Sequence, residues 1–296
     1  MPALVAIPGG AELRPTPRPT PGRGQVLLRV LTSALCRTDV YAATGQLNVP
    51  DGRILGHEFC GRVTKLGPNA PSHLEGQKVA VFPWLGCGRC LACQTPYEGA
   101  ALCAQRRFLG LDLDGAFAPE IVVPADRVLP VPESLPEQLV AFAEPVAAAL
   151  GVTKALPSTA QIGLFGDNRL SALSQRLLTV LGHEVSSYNE NLAYALESDP
   201  EFIEDAMQAL RPRGTLIAKS RPSTAVPWPL RLQVEKEITV VAAGYGRFER
   251  AVELLTSHPE LLHDMAAPPR PLSQWKEAIA EGEGPRKTFF LPEPVE

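Results

Sequence analysis

The chain has no cysteine after residue 103, no Lys/Arg run able to follow a phosphate backbone, and no window near the ~18 apolar residues of a membrane span. Charge of either sign is not in excess. Twenty-eight basic residues stand against 32 acidic ones, a net charge of −4, so nucleic acid and membrane are excluded as expected partners. The opening "MPALVAIPGG" lacks a charged start followed by an apolar run, which predicts a cytoplasmic protein. Repeats and low-complexity blocks are also missing, and the 30 prolines are scattered through loops. What is present is a length of 296 residues and 45% hydrophobic content, enough for two domains with full cores.

The first half reads as all-β. The runs "VLLRVL" at 26–31, "GRVTKL" at 61–66, "QKVAVF" at 77–82 and "EIVVPADRVLPVP" from Glu120 are short, β-branched and bounded by Gly or Pro. From Phe142 to Leu156 the chain turns Ala-rich with helical spacing, and "IGLF" then starts an alternation of strands and helices, which implies a parallel sheet. Leu170, Leu173, Leu177, Leu178 and Leu181 recur at three- and four-residue steps, one apolar helix face. "EVSSY", "AYALE" and "TLIAKS" read as further strands, with "PEFIEDAMQALRPRG" a helix that ends at Gly214, where Arg211 and Arg213 suit a helix C-terminus. The residues from about 261 give one short helix and a terminal strand.

Six cysteines, at 36, 60, 87, 90, 93 and 103, crowd the first third, and in a reducing compartment such clustering favours metal over disulfides. Cys87-x2-Cys90-x2-Cys93-x9-Cys103 can converge on one tetrahedral zinc because each two-residue spacing turns the backbone around a single ion. Unliganded thiols or an iron–sulfur cluster are the rival readings, although Cys103 is not followed by Pro and no second set exists. Four thiolates with no open position make a structural site.

Upstream stand "ALCRTDVYAATGQ" and "ILGHEFCGRV", and later "FAEPVAAAL". With the cysteine loop and "GAFAPEIVVPADRVLPVPESLPEQLVAFAEPVAAAL", these resemble, in order and spacing, the zinc-dependent medium-chain dehydrogenases/reductases, the alcohol and polyol dehydrogenase superfamily. The resemblance is densest over 30–150. It implies an α/β fold with a GroES-like β-rich catalytic domain over 1–154, completed by 262–296, and a truncated Rossmann-like parallel α/β domain over 155–261. It further implies Cys36, His57 and Glu144 as ligands of an active-site zinc, with Glu58 able to approach the metal. Thr38 would relay the substrate proton, and Asp39 would support the zinc neighbourhood. One thiolate, one imidazole and one carboxylate leave a fourth position open for water or substrate oxygen. Cys60, outside this pattern, reads as a packing cysteine.

The dinucleotide turn departs from G-x-G-x-x-G. Gly166, Asn168 and Ser171 occupy the three positions, so a side chain at 168 stands where the backbone should approach a pyrophosphate. Asn189, followed by Glu190, takes the place of the acidic residue that accepts the ribose hydroxyls. Between "SSYNEN" and "LAYALE" the family's third strand and its helix are missing. The expectation is therefore a zinc enzyme that has largely lost NAD(P) binding and uses its metal as a Lewis acid in a non-redox reaction on a small oxygenated substrate. The alternatives are an NAD(P)-dependent zinc alcohol or polyol dehydrogenase and a non-catalytic pseudoenzyme. The stretch "RLQVEKEITVVAAGYG" resembles the edge strand that pairs subunits, so a homodimer is expected. His73, His183, His258 and His263 follow no ligand spacing and read as surface or loop residues. Phe82 and Trp84 are candidates for the substrate pocket.

Overall fold

The computed structural model describes residues 1–94, 98–187, 190–222, 224–282 and 284–292. Nine strands precede the middle of the chain: β1 (Pro2–Ile7), β2 (Gly10–Pro15), β3 (Gln25–Ala34), β4 (Glu58–Leu66), β5 (Lys78–Val81), β6 (Trp84–Leu85), β7 (Arg107–Phe108), β8 (Glu120–Pro124) and β9 (Val128–Pro130). Among them lie α1 (Arg37–Ala43) and α2 (Glu98–Leu102), and after them α3 (Glu137–Ala141) and α4 (Ala143–Leu150). Then follow β10 (Gln161–Phe165), α5 (Arg169–Val180), β11 (Glu184–Ser186), β12 (Leu192–Glu197), α6 (Ile203–Ala209), β13 (Leu210–Ala218), α7 (Leu230–Glu235) and β14 (Thr239–Ala242). The chain closes with α8 (Phe248–Ser257), β15 (Arg270–Pro271), α9 (Trp275–Ala280) and β16 (Phe289–Leu291).

Contacts divide the chain into two units, Met1–Pro145 with Phe248–Glu296, and Val146–Arg247. Both breaks precede the expected ones at 154 and 262. The amphipathic helix α8 explains the second: Phe248, Ala251, Val252, Leu254 and Leu255 are buried, and the Phe248 ring packs 5.2 Å from that of Phe82 in the first unit.

In the first unit a seven-stranded sheet runs β15-β16-β3-β4-β5-β9, with β8 also on β3. β3 pairs antiparallel with β4, β8 and β16, which brings the C-terminal strand onto the N-terminal sheet. Alternating inward residues Val26, Leu28 and Val30 of β3 meet Phe59 and Val63 of β4, Val79 and Val81 of β5 and Ile121 and Val123 of β8 in one core. The period-two pattern of the sequence is the period of this core.

The second unit is a five-stranded parallel sheet in the order β11-β10-β12-β13-β14. Leu173, Leu177 and Leu178 of α5 are buried, as the leucine spacing predicts. Only residues 187–191 separate β11 from β12, too few for the dozen or more of a helical crossover, so the third strand and its helix are absent as the sequence implies. The helix expected to reach Gly214 stops at Ala209, and 210–214 belong to β13. Lys236 ends it from outside: its Nζ donates to the carbonyls of Met207, Gln208 and Leu210 at 3.2, 2.5 and 2.7 Å. Arg213 sits at a bend with φ 62° and pairs with Glu237, so it serves no helix end.

Candidate metal centres and the phosphate turn

Cys36 is the N-cap residue of α1. Its sulfur accepts the backbone N–H of Asp39, while Asp39 Oδ2 accepts the N–H of Cys36 at 3.0 Å. The other oxygen of Asp39 lies 3.2 Å from His57 Nδ1 and accepts from the Gly56 N–H at 3.2 Å. Asp39 thus fixes the cysteine, the turn before β4 and the histidine ring, and it leaves Nε2 of His57 as the ring's remaining donor atom. Gly56 has φ 93°, and a Cβ there would stand 2.7 Å from the Phe117 ring, so the approach of this turn requires glycine.

A sulfur of Cys36, a ring nitrogen of His57 and a carboxylate oxygen of Glu58 all lie within 4.8 Å of one another. Glu144, the third ligand expected from the resemblance, is buried in the first turn of α4 and stands outside that triplet. It is a close neighbour nonetheless, because its charge, with burial as the larger cause, lifts the Glu58 carboxyl above its ordinary value. Lys287 opposes this: its Nζ lies 2.5 Å from Glu58 Oε2, an ion pair with both side chains buried. Burial works against a charge on His57, yet the neighbouring charges of Asp39 and Cys36 outweigh it and hold the imidazole well above its usual range. Thr38 is half-buried in the first turn of α1, two residues from Cys36.

A soft sulfur, an imidazole and a carboxylate form a donor set that suits zinc. The residues fit the metal. Two partners of this site lie beyond what sequence reasoning found. Lys287 arrives through β16's approach to β3, and its only signal is a basic residue just before the apolar run "FFL". Phe108 stacks 4.7 Å from the His57 ring, with Trp84 4.3 Å further on and the Arg106 guanidinium 5.4 Å from the Trp84 ring. Trp84 therefore joins the wall beside His57, whereas Phe82 is fully buried in the core. Cys60 is buried in β4 and burial pushes its thiol far up, as a packing role requires.

The sulfurs of Cys87, Cys90, Cys93 and Cys103 also lie within 4.8 Å of one another, close to the ~3.8 Å edge of a tetrahedron with Zn–S bonds of about 2.3 Å. Backbone N–H groups of Arg89 and Cys90 pull the Cys87 thiol down to about 6, and those of Cys87 and Gln105 lower Cys103. Burial pushes Cys93 up to about 11. N–H groups aimed at sulfur prepare thiolates, so this cluster fits zinc as well.

The phosphate turn is different. Asn168 is the N-cap residue of α5, and its Oδ1 accepts from Leu170 N at 2.9 Å and Ser171 N at 3.1 Å. Its Nδ2 donates to the Ser198 carbonyl at 3.0 Å, and the Ser171 and Ser198 hydroxyls are 2.7 Å apart. A Cβ on Gly166 would meet both hydroxyl oxygens, at 2.4 and 2.8 Å. Two N–H groups of the first turn of α5, of the kind an anion at a helix N-terminus takes up, are thus already bonded to Asn168. Asn189 lies outside the described residues.

Comparisons with known proteins bear on the first unit and on the fold. Residues 22–133 match the alcohol dehydrogenase GroES-like domain. L-threonine 3-dehydrogenase of Xanthomonas oryzae pv. oryzae (strain MAFF 311018) is 34% identical over 142 residues, 46% of this chain and 41% of that protein. The same enzyme of Pyrococcus furiosus is 30% identical over 203 residues, 64% of this chain and 57% of that protein. The chain thus spans about half the length of the curated relatives it matches. Among solved structures, one described as a zinc-binding dehydrogenase from Sinorhizobium meliloti 1021 bound to NADP superposes with a TM-score of 0.88 at 20% identity, over 98% of this chain and 99% of that one. Galactitol-1-phosphate dehydrogenase from Escherichia coli gives 0.86 at 21% identity, over 99% and 100%. At such identities these two establish the fold alone. A GroES-like β-rich unit and a parallel α/β unit make up the fold that this chain shares with those structures. Within the first unit, residues 22–133 carry the alcohol dehydrogenase GroES-like domain, and the chain is similar there to the zinc-dependent medium-chain dehydrogenases/reductases, the alcohol-dehydrogenase-like proteins.

Proposed function

We propose that the chain is an enzyme whose active-site zinc, held by Cys36, His57 and a carboxylate from Glu58 or Glu144, acts on the oxygen of a small alcohol, aldehyde or ketone. The observation that carries this is the convergence of half-buried Cys36 with buried His57 and Glu58 around atoms fixed by Asp39. Bound zinc supplies a Lewis acid that polarises the substrate oxygen and acidifies a hydroxyl. Asp39 orients the thiolate and ring, Thr38 Oγ1 takes the proton released by the substrate, and Trp84 with Phe108 keeps that side of the site apolar. Cys87, Cys90, Cys93 and Cys103 hold a structural zinc. The names of the relatives, with NADP in one neighbouring structure, support NAD(P)-dependent dehydrogenation as the reaction. A second reading, Lewis-acid chemistry without hydride transfer, is favoured by the bonds that Asn168 makes across the phosphate turn. A homodimer through the outer edge of β14, which has no partner strand among the described residues, completes the proposal.

The test is a panel of small alcohols, aldehydes and ketones on zinc-loaded protein, with and without NAD(P)(H), repeated with Cys36→Ser. Turnover that needs the dinucleotide supports dehydrogenation, and turnover without it supports the second reading. A Cys36→Ser protein as active as the parent removes the zinc proposal in either form.

A further inference from the structure

We infer that Asn168 is a built-in occupant of the anion position at the N-terminus of α5, so that pyrophosphate-bearing ligands bind there only by displacing it. An unmodified phosphate turn offers an anion the free N–H groups of the first helical turn and the positive end of a helix dipole. Here α5 is twelve residues long, but its N2 and N3 amides, Leu170 and Ser171, already donate to Asn168 Oδ1 at 2.9 and 3.1 Å. The amide oxygen sits where a phosphate oxygen would receive the same two bonds. Three further contacts lock it. The Ser171 hydroxyl accepts from the Asn168 backbone N–H at 3.3 Å, Asn168 Nδ2 donates to the Ser198 carbonyl, and the Ser171 and Ser198 hydroxyls bond at 2.7 Å. The turn after β10 is thereby fastened to the turn after β12, and Ser198 Oγ adds a bond to the Phe165 carbonyl at 3.3 Å. Glycine at 168 would supply neither the oxygen nor the clasp on Ser198. An incoming anion must break the Asn168 bonds to gain equivalent ones, which leaves little net gain.

The experiment uses the full zinc-loaded chain and inorganic pyrophosphate as probe, followed through the backbone amide resonances of Leu170 and Ser171. Asn168→Gly opens the position at small cost to the helix, since Gly is itself accepted at the N-cap. Asn168→Asp keeps the capping oxygen and adds negative charge. The expected result is that pyrophosphate shifts the Leu170 and Ser171 amides in Asn168→Gly with an affinity at least about tenfold above the parent, while Asn168→Asp shows no gain. Thermal unfolding and zinc content serve as folding controls. Equal affinity in parent and Asn168→Gly, measurable in both or in neither, overturns the inference, as does a parent that already binds through these two amides. The residues involved all lie in the second unit, so the outcome is independent of whether the zinc proposal stands.

Discussion

At the scale of single residues, the cysteine cluster was legible from its Cys-x2-Cys-x2-Cys spacing alone, whereas Cys36 and His57 were legible only through the resemblance to a known superfamily. Their supporting partners were not. Asp39 could be named only because the resemblance implied it, and the structure adds the local reason, a capping box closed with Cys36. Lys287 could not, because only the pairing of β16 with β3 brings it to Glu58. His183 shows the same limit from the other side. It reads as a loop residue, yet it is buried just before β11, and its Nδ1 has no hydrogen-bond partner among the described residues. Burial lowers its pKa, so the folded state favours the neutral ring and the unfolded state takes up the proton first. The stability this contributes is complete above the ordinary imidazole value of about 6.5 and is lost as pH falls below it toward the depressed folded value. In melting curves recorded across that range, His183→Gln is expected to lose less of its melting temperature on acidification than the parent. Parallel curves for the two proteins would contradict this.

At the scale of elements, strands and the leucine-faced helix follow from periodicity, whereas element ends are set by distant side chains. Helix α6 stops where the Lys236 ammonium takes up three carbonyls, a long-range contact that no local pattern announces. A buried lysine acts similarly elsewhere. Lys219, at the end of β13, donates from Nζ to the carbonyls of Ala148, Gly244 and Ala243 at 2.5, 2.7 and 3.1 Å. Those bonds tie α4, β13 and the segment after β14 together. Replacing Lys219 by Met keeps the length of the side chain and leaves three carbonyls without their donor. Hydrogen bonds to charged groups are worth about 1.5–3 kcal/mol each, partly offset by the cost of burying the ammonium, so a loss of about 2–4 kcal/mol is expected in denaturant unfolding. A loss below about 1 kcal/mol would show that water replaces the ammonium there.

At the scale of the molecule, the two units differ in how closely they follow the pattern of the superfamily that the sequence resembles. The first unit carries the match over 22–133, and its half-buried Cys36 and buried His57, Glu58 and Asp39 form a connected set. The second keeps a parallel sheet but has lost a strand and helix between β11 and β12, and its phosphate turn bonds to itself. The missing segment was readable from the sequence as a gap. The self-bonded turn was not, since Asn168 at a glycine position reveals an obstruction but not that its side chain caps α5 and reaches Ser198. On the proposed pairing through β14, whose outer edge has no partner strand among the described residues, the protein is expected to sediment as a dimer at micromolar concentration, and Val240→Pro on that edge to give a monomer.

The central claim is that two zinc centres exist and that one of them is the open Cys36–His57–carboxylate site. Zinc content measured on the purified parent, Cys36→Ser and Cys103→Ser tests it most directly. The account predicts two zinc ions per parent chain and one in each variant, with the ion retained by Cys103→Ser bound through nitrogen, oxygen and a single sulfur in its X-ray absorption spectrum. One ion or none in the parent, or an unchanged count in Cys36→Ser, would contradict it.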